Sequence, residues 1–392
     1  MLAQSLLRAS IPFLIFEQDS SISFRAQGYR LRLSLEGLDA IESVLGPEEF
    51  QEFWDKCSKT GGSGFGTIDA ISGSKTSTPP AKDEDGDEAA DKEPKVPAEK
   101  LVSRDGKIVG ISRGDMRKHF LSGCEDFVRW SHRITGYELA PSGGVFAIFA
   151  DGSKSVEGEM LVAGDGVHSK IAKQLSQGKL KVYDTGARGI HGQAPTTAFK
   201  GLGEGVWRLV DESNPNGLLF VMTNVRPGDM DDPNVQFGWT MGGAPGVITA
   251  PDDNYALVGR PAAELAKSLT GKWHERLRPL FGEMNESEAA FWKITCSTPA
   301  GVPEWANEKC VTLIGDAVHS MTPAGGIGAN TAVRDSALLG RLLVEARGGG
   351  LDGVTKAYEG EMRIYASEAV GISYGTAKNS FGIIIDENTR TV

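Results

Sequence analysis

LIGDAVHSMTPAGGIGAN, residues 313–330, is the stretch that decides the fold. It begins at the end of an apolar run, places Asp316 directly after that run, and continues with a glycine-rich entry into a helix. In an open α/β sheet, ligands bind beyond the carboxyl ends of the strands. Glycines let backbone N–H groups approach a flat or anionic ligand, and a helix N-terminus adds partial positive charge. A carboxylate here would accept hydrogen bonds from a sugar or ribityl hydroxyl, so the stretch predicts a site for a long cofactor. A plain strand-to-helix turn is the alternative.

The first 19 residues are typical of the second half of a βαβ unit. Leucines in LAQSLLRAS (2–10) have helical spacing, and the apolar strand IPFLIFEQD (11–19) ends near Glu17. In dinucleotide-binding units, an acidic residue at the tip of the second strand accepts hydrogen bonds from ribose hydroxyls. We predict this role for Glu17, with an exposed strand-end acid as the alternative. A strand and a Gly-x-Gly-x-x-Gly turn should precede such a helix. With Met1 already inside the helix, we expect a chain that is truncated at its N-terminus.

Two segments carry arginines that could contact a cofactor. In GYRLRLSLEG (28–37), Arg30 and Arg32 lie on the same, basic face of an alternating strand, and the pattern does not separate them. The segment SRGDMRKHF (112–120) predicts a capped helix that carries Arg117. A plain surface arginine on this helix is the alternative for Arg117.

An Asp-Gly corner precedes another predicted helix in AGDGVHSKI (163–171). Asp165 in this corner is a candidate ligand contact, although a simple Asp-Gly turn is also possible. His168 and His319 both lie inside such motifs, so we interpret them as locally bonded structural histidines rather than catalytic ones.

The rest of the chain divides by composition. An acidic stretch at 72–100 has almost no large apolar residue and predicts a disordered insertion. The region 180–300 predicts a largely antiparallel sheet with helices packed on it. The predicted division is a discontinuous cofactor-binding domain at 1–71 and 101–179, the insertion, the sheet lobe at 180–300, a second cofactor-binding segment at 301–345, and a helical end at 346–392. Four aromatic residues of the sheet lobe could line a cavity, although core packing is the simpler role for each: Trp207, Phe220, Phe237 and Trp239.

Composition narrows the classes of function. The formal net charge of −11 argues against a nucleic-acid surface, which needs clustered Lys and Arg. The four cysteines are widely spaced, which predicts reduced thiols and neither a zinc site nor a disulfide framework. No apolar run reaches the ~18–20 residues of a membrane helix. These features predict a protein of the reducing cytoplasm without a metal site.

Two of the segments quoted above resemble the signature segments of a known family. Residues 163–171 and 313–339 resemble those of the p-hydroxybenzoate hydroxylase-like FAD-dependent monooxygenases, and weaker likeness extends over essentially the whole chain. The resemblance implies an α/β fold. A Rossmann-like FAD-binding domain, incomplete at its N-terminus, would be interleaved with a mostly antiparallel-sheet substrate lobe and followed by a helical C-terminus.

The resemblance also implies roles for single residues. Glu17 would hold the adenosine ribose, Arg117 would reach the diphosphate region, and Asp316 would contact the ribityl chain and diphosphate. Arg32 is favoured over its neighbour as the arginine near the cofactor. Asp165 would help to engage both the flavin and the nicotinamide cofactor.

The backbone of the glycine-rich loop would face the pyrimidine edge of the isoalloxazine ring, through Gly326, Gly328, Ala329 and Asn330. No protein nucleophile or catalytic side chain is implied, because the chemistry resides in the cofactor.

The implied activity is oxygen insertion. FAD reduced by NADPH or NADH would react with O2 to form a C4a-hydroperoxide, which transfers one oxygen atom to a small organic substrate, aromatic or polycyclic. Hydroxylation, epoxidation and Baeyer-Villiger oxidation are not distinguished. Two alternatives stay open. One is a non-catalytic relic that lost flavin binding with its N-terminal turn, and the other is a flavoprotein oxidase or reductase.

Overall fold

The fold is that of a computed structural model of the 392-residue chain. It describes residues 1–22, 30–61, 65–76, 102–250, 252 and 257–392. Most of the insertion expected at 72–100 lies outside these residues. Its first five residues are described, and they are ordered rather than disordered. They form a turn and a short strand, Lys75–Thr76, which pairs with Phe65–Asp69.

The described residues form nine α-helices: α1 Leu2–Arg8, α2 Leu35–Lys56, α3 Arg113–Leu121, α4 Lys170–Leu175, α5 Arg260–Leu269, α6 Pro279–Gly282, α7 Asp316–His319, α8 Gly328–Glu345 and α9 Val354–Phe381. Side-chain caps start several of them. Ser34 accepts the Gly37 amide at the start of α2, Ser112 caps α3, and Ser169 caps α4.

Sixteen strands fall within the same part of the chain: β1 Ile15–Phe16, β2 Arg30–Leu33, β3 Ser58–Thr60, β4 Phe65–Asp69, β5 Lys75–Thr76, β6 Ile108–Ser112, β7 Val128–Arg129, β8 Ile134–Leu139, β9 Val145–Phe149, β10 Leu161–Ala163, β11 Val182–Pro195, β12 Gly205–Asp211, β13 Leu219–Val225, β14 Gln236–Gly243, β15 Ala290–Ser297 and β16 Val311–Leu313.

The largest sheet has seven strands in the order β15-β11-β14-β13-β12-β4-β5. Its pairs are antiparallel except β4 with β12, which confirms the mostly antiparallel lobe. Strands β4 and β5 lie outside the predicted limits of 180–300, because β4 pairs with β12 from about 140 residues away in sequence. No local sequence pattern predicts such a long-range parallel pairing. One face of the sheet packs on α5 and α6 around a core that includes Phe237, Trp239 and Trp273.

The part of the chain predicted to bind a cofactor contains two separate parallel strand pairs, β1 with β7 and β10 with β16. In the first pair the Glu17 amide donates to Arg129, so the backbone groups of Phe16 point away from β7. In the second pair Leu161 donates to Cys310, so the backbone groups of Val162 point away from β16. Strands β1 and β10 both border the same large cavity. No strand among the described residues joins these two pairs into one parallel sheet.

The four cysteines are buried free thiols. Burial raises the pKa of Cys57 to about 11 and that of Cys296 to about 12. None of the described helices combines the length and the apolarity that a bilayer crossing requires.

Candidate functional site

A cavity of about 3010 Å³ lies between the cofactor-binding part and the seven-stranded sheet. It exceeds the ~300–1,000 Å³ of an ordinary small-molecule pocket, so it has room for more than one ligand. Eight of the nine residues predicted as cofactor contacts line this cavity: Glu17, Arg32, Arg117, Asp165, Asp316, Gly326, Gly328 and Ala329. These eight residues therefore share one cavity wall, and their roles toward a cofactor stay predictions.

Asp316 follows β16 by way of Gly315, whose φ of 62° and ψ of −142° suit only glycine. The Asp316 side chain is open to the cavity but enclosed by protein on its other sides, and burial raises its pKa. His319 and Arg113 oppose that shift by Coulombic attraction. Within the described residues its carboxylate makes no hydrogen bond. A ligand hydroxyl would supply the missing donor, so the site fits a polyol chain.

Behind Asp316, the buried carboxylate of Asp335 on α8 holds the turn in place. Asp335 Oδ2 accepts from the Gly315 amide and lies 2.7 Å from both that nitrogen and His319 Nε2. The hydroxyl of Tyr365 donates to Asp335 Oδ1 at 2.7 Å. Burial lowers the pKa of His319, but the charge of Asp335 outweighs it and the pKa is raised. The structural role predicted for His319 fits these contacts. Sequence reasoning missed Asp335, although an acid on the apolar face of α8 was a signal.

The glycine-rich loop leads into α8, whose first amides have no acceptor inside the helix. Asn330 does not line the cavity, and the backbone contact predicted for it stays a prediction. Its side chain instead donates to the carbonyls of Arg32 and Gly326 at 3.0 Å and accepts from the Ser34 amide at 2.9 Å. Asn330 therefore fastens β2 and α2 to the loop.

The two arginines of β2 have different neighbours in the structure. Arg30 donates to the Gly110 carbonyl at 2.8 Å and to the hydroxyl of Ser58, so it ties β2 to the neighbouring strands. Arg32 lies beside Gly326, with its Nε 4.0 Å from the place that a β-carbon of that residue would take. Arg32 is thus the arginine next to the glycine-rich loop.

Glu17 and Arg117 both line the cavity and form an ion pair. Arg117 Nη2 lies 3.1 Å from Glu17 Oε2, and Arg117 Nη1 lies 3.5 Å from Asp19 Oδ2. The Asp19 amide also donates to Glu17 Oε1. Arg117 therefore holds the acid predicted for the ribose.

Asp165 lies at the corner after β10 and faces the cavity. Burial raises its pKa, and a hydrogen bond with Ser169 opposes the shift. His168 also lines the cavity, and burial lowers its pKa. No group of three or more potential metal ligands occurs among the residues that the structure describes.

On the opposite wall, Phe220 is the one of the four predicted aromatic residues whose side chain stands on the cavity face of the sheet. Trp207, Phe237 and Trp239 belong to the core on the other face. Sequence reasoning did not single out the other side chains of this wall, among them Arg208, His191 and Trp292.

Residues 127–373 match a family model described as FAD binding domain. The chain is 28% identical over 385 residues to a dual O-methyltransferase/FAD-dependent monooxygenase of Phaeosphaeria nodorum, across 87% of this chain and 38% of that protein. It is 26% identical over 412 residues to a protein of the same description from Cercospora beticola, across 97% of this chain and 45% of that one. The chain thus spans less than half the length of these relatives.

Solved structures share the fold. A putative FAD-containing monooxygenase of Photorhabdus luminescens superposes with a TM-score of 0.72 at 24% identity, covering 97% of this chain and 95% of the other. HpxO of Klebsiella pneumoniae, complexed with FAD and uric acid, superposes with a TM-score of 0.70 at 19% identity, covering 97% and 85%.

Proposed function

Since the chain belongs to the family of FAD binding domains, we propose that it forms the flavin-binding part of an FAD-dependent monooxygenase. The observation that carries this proposal is the position of Asp316. Its carboxylate stands beyond β16, faces the cavity and lacks a donor among the described residues. The relatives named above, which are described as FAD-dependent monooxygenases, support the reaction class.

In this proposal, different residues of the cavity bind different parts of the cofactor. Asp316 accepts from the ribityl hydroxyls, while Glu17, oriented by Arg117, accepts from the adenosine ribose. The amides at the start of α8, with Gly326, Gly328 and Ala329, face the pyrimidine edge of the flavin. Arg32 lies beside that edge.

Bound FAD would accept a hydride from NADPH or NADH and activate O2 for transfer of one oxygen atom to a small aromatic or polycyclic substrate. The protein orients the two reactants and excludes water from the space between them. Asp165, at the rim of the same cavity, would contribute to contacts with both the flavin and the nicotinamide cofactor.

The test is uptake of FAD followed by reduction. Purified chain is equilibrated with FAD, freed of excess and scanned across the flavin bands. NADPH or NADH is then added with and without O2. We expect bound, yellow flavin that either nicotinamide cofactor bleaches without O2, and hydrogen peroxide formation in air when no substrate is present. Flavin that binds but is never reduced would rule out the monooxygenase.

One observation favours a second candidate, a relic that no longer retains flavin. Among the described residues, the parallel strands that border the cavity form two separate pairs, β1 with β7 and β10 with β16. A folded, colourless protein that takes up no FAD at millimolar concentration would support the relic. The absorbance spectrum therefore separates the two candidates in one measurement.

A further inference from the structure

The glycine-rich loop has few side chains with which to fix its own conformation. Gly325 and Gly326 both have positive φ, 79° and 61°. A glycine without outside contacts populates other backbone conformations about as readily. The loop must nevertheless keep one conformation if its amides are to face a ligand. Contacts from other parts of the chain therefore have to supply the restraint.

Helix α9 supplies such a contact through Ser373. The hydroxyls of Ser373 and Thr322 lie 2.8 Å apart. The Ser373 hydroxyl donates to the Thr322 carbonyl at 3.0 Å, and the Thr322 hydroxyl donates to the Ser373 carbonyl at 3.1 Å. Thr322 stands directly before Pro323, and its hydroxyl also accepts the Ala324 amide at 3.3 Å. This reciprocal pair, the Ser373–Thr322 clasp, joins α9 to the start of the loop.

The two residues of the clasp are related differently to the cavity. Thr322 borders it, whereas Ser373 does not. Both side chains are buried, with exposed fractions of 2% for Thr322 and 0% for Ser373. Removal of the Ser373 hydroxyl would leave a buried carbonyl without that donor, which is costly. Ser373 therefore acts on the cavity through Thr322 and not by direct contact with a ligand.

The other side of the same segment is held by β15. The Ser297 amide donates to the Ser320 carbonyl at 2.7 Å, and the hydroxyls of Thr295 and Ser320 lie 3.1 Å apart. Within the loop, Ala324 packs in an apolar cluster that includes Phe381, the last residue of α9. Polar contacts from β15 and α9 therefore hold the segment that leads into the loop from two sides.

We propose that Ser373 is a positioning residue for the cofactor: through Thr322 it keeps the glycine-rich loop in the conformation whose amides face the flavin. The consequence for the flavin rests on the proposed function, in which these amides lie at the pyrimidine edge. Hydrogen bonds donated to that edge favour the electron-rich, reduced form of a flavin. A loosened loop should therefore weaken FAD binding and lower the midpoint potential of bound FAD.

The first test needs no cofactor. Hydrogen exchange is followed by mass spectrometry in the FAD-free chain, on peptides that cover residues 320–330. Ser373→Ala removes one hydroxyl of the clasp, and Thr322→Val removes the other with little change of shape. One lost hydrogen bond predicts roughly 3- to 10-fold faster exchange of the loop amides in each variant. The double variant should add little to either single change, because both remove the same contact.

Thr355→Val is the matched control. Thr355 is another fully buried hydroxyl residue of α9, and it contacts Asn307 at 3.2 Å. Neither residue lines the cavity. We expect loop exchange in this variant at the wild-type rate. Melting temperatures of all variants separate a general loss of stability, which the control shares, from an effect on the loop.

The second test uses the chain loaded with FAD. The dissociation constant of FAD should rise roughly 3- to 10-fold in Ser373→Ala, and the midpoint potential of the bound flavin should fall. Both quantities should keep their wild-type values in Thr355→Val. A hydroxyl that only stabilises the fold would not shift the potential, so this readout distinguishes positioning from a structural role.

Loop exchange that stays at the wild-type rate in Ser373→Ala, or that rises equally in Thr355→Val, would overturn the proposal. Faster loop exchange with unchanged FAD affinity and potential would overturn it as well. A chain that takes up FAD but shows no difference between the variants loses the positioning role and keeps the proposed function. If loop exchange depends on Ser373 but no variant takes up FAD, the proposed function fails, and the cofactor role of Ser373 fails with it.

Discussion

Asp316 has opposite effects on stability and on ligand binding. Because burial raises its pKa, the ionised form is disfavoured on folding, and the folding free energy worsens as pH rises from the ordinary value of about 3.9 through the raised one. We expect Asp316→Asn to raise the melting temperature of the FAD-free protein at pH 7. The same change should weaken FAD binding by about 1.5–3 kcal/mol, because an acceptor for the ribityl hydroxyls is lost.

Thermal melts of the FAD-free protein measure the effect on stability, and flavin titrations measure the effect on FAD affinity. Asp55→Asn, on the exposed face of α2, is the control. The wild type should also lose FAD affinity on acidification, beginning above pH 4, while the variant should not. Unchanged FAD affinity in Asp316→Asn would contradict the assignment.

The buried pair of His319 and Asp335 predicts a second pH effect. The pKa of His319 is raised in the folded protein, so its contribution to stability is complete below about pH 6.5 and is lost as pH rises through the raised value. Urea unfolding should show that the free energy of unfolding of the wild type declines from pH 6 to 9. This decline should be absent in His319→Gln. Asp335→Asn should cost about 3–5 kcal/mol and Tyr365→Phe about 1 kcal/mol. Parallel pH curves for the wild type and His319→Gln would show that folding does not shift the pKa of the histidine.

Residues differ in how far the sequence predicts them. Asp316 and Asp165 stand in segments where glycine, acid and strand end occur together, and both line the cavity. The interaction of Glu17 with Arg117 joins positions 100 residues apart, and no local pattern contains it. The side-chain contacts of Asn330 were not predicted, because they join it to Arg32 and Ser34, 298 and 296 positions away.

At the scale of elements, α2 and α8 touch through a glycine. A β-carbon on Gly37 would lie 2.1 Å from Asn330 Oδ1 and would displace the side chain that fastens the glycine-rich loop. Gly37→Ala should therefore destabilise the protein by about 1–3 kcal/mol and weaken FAD binding. Gly360→Ala in α9, where nothing lies within 4 Å, is the control and should stabilise by roughly 0.5–1 kcal/mol. Chemical unfolding measures the free energy of unfolding of both variants. If the two substitutions change it equally, the Asn330 side chain moves away from a β-carbon on Gly37 without loss of stability.

The outward-facing backbone groups of β1 and β10 predict that one more parallel strand can pair with them. We expect an N-terminal extension of roughly 15–20 residues, encoding an apolar strand and a Gly-x-Gly-x-x-Gly turn in phase with α1, to raise the melting temperature and FAD occupancy. Backbone groups of Phe16 and Val162 would gain partners, and the turn would supply amides for the diphosphate.

The matched control is the same extension with proline at alternate strand positions, since proline cannot donate to a ladder. Both forms are compared by melting and by flavin content. If the proline form binds FAD as well as the first, strand pairing is not the cause.

At the scale of the whole molecule, the cavity joins two lobes with separate cores. Because FAD would bind the folded state alone, a concentration 100-fold above its Kd should add about 2.7 kcal/mol to the unfolding free energy. Trp239 and Trp273 report on the core of the sheet lobe. We expect their fluorescence transition to shift upward together with the flavin signal. A tryptophan transition that FAD leaves unmoved would show that the lobes unfold independently.

The sequence predicted the class of fold because the glycine-rich turns and the alternating strands are local signals. It did not predict that β4 and β5 join the large sheet, since that depends on a pairing with β12 across a long separation.

The buried thiols have a practical consequence for spectroscopy. A dye maleimide reacts with thiolate, and Cys57 and Cys296, with pKa values of about 11 and 12, hold almost none at pH 7. Cys124 and Cys310 are buried as well, and the pKa of each is raised. A single cysteine introduced on an exposed face, as in Ser43→Cys on α2, would therefore take the fluorophore selectively, without removal of any native thiol. Energy transfer from that dye to bound flavin would then report occupancy of the cavity in real time.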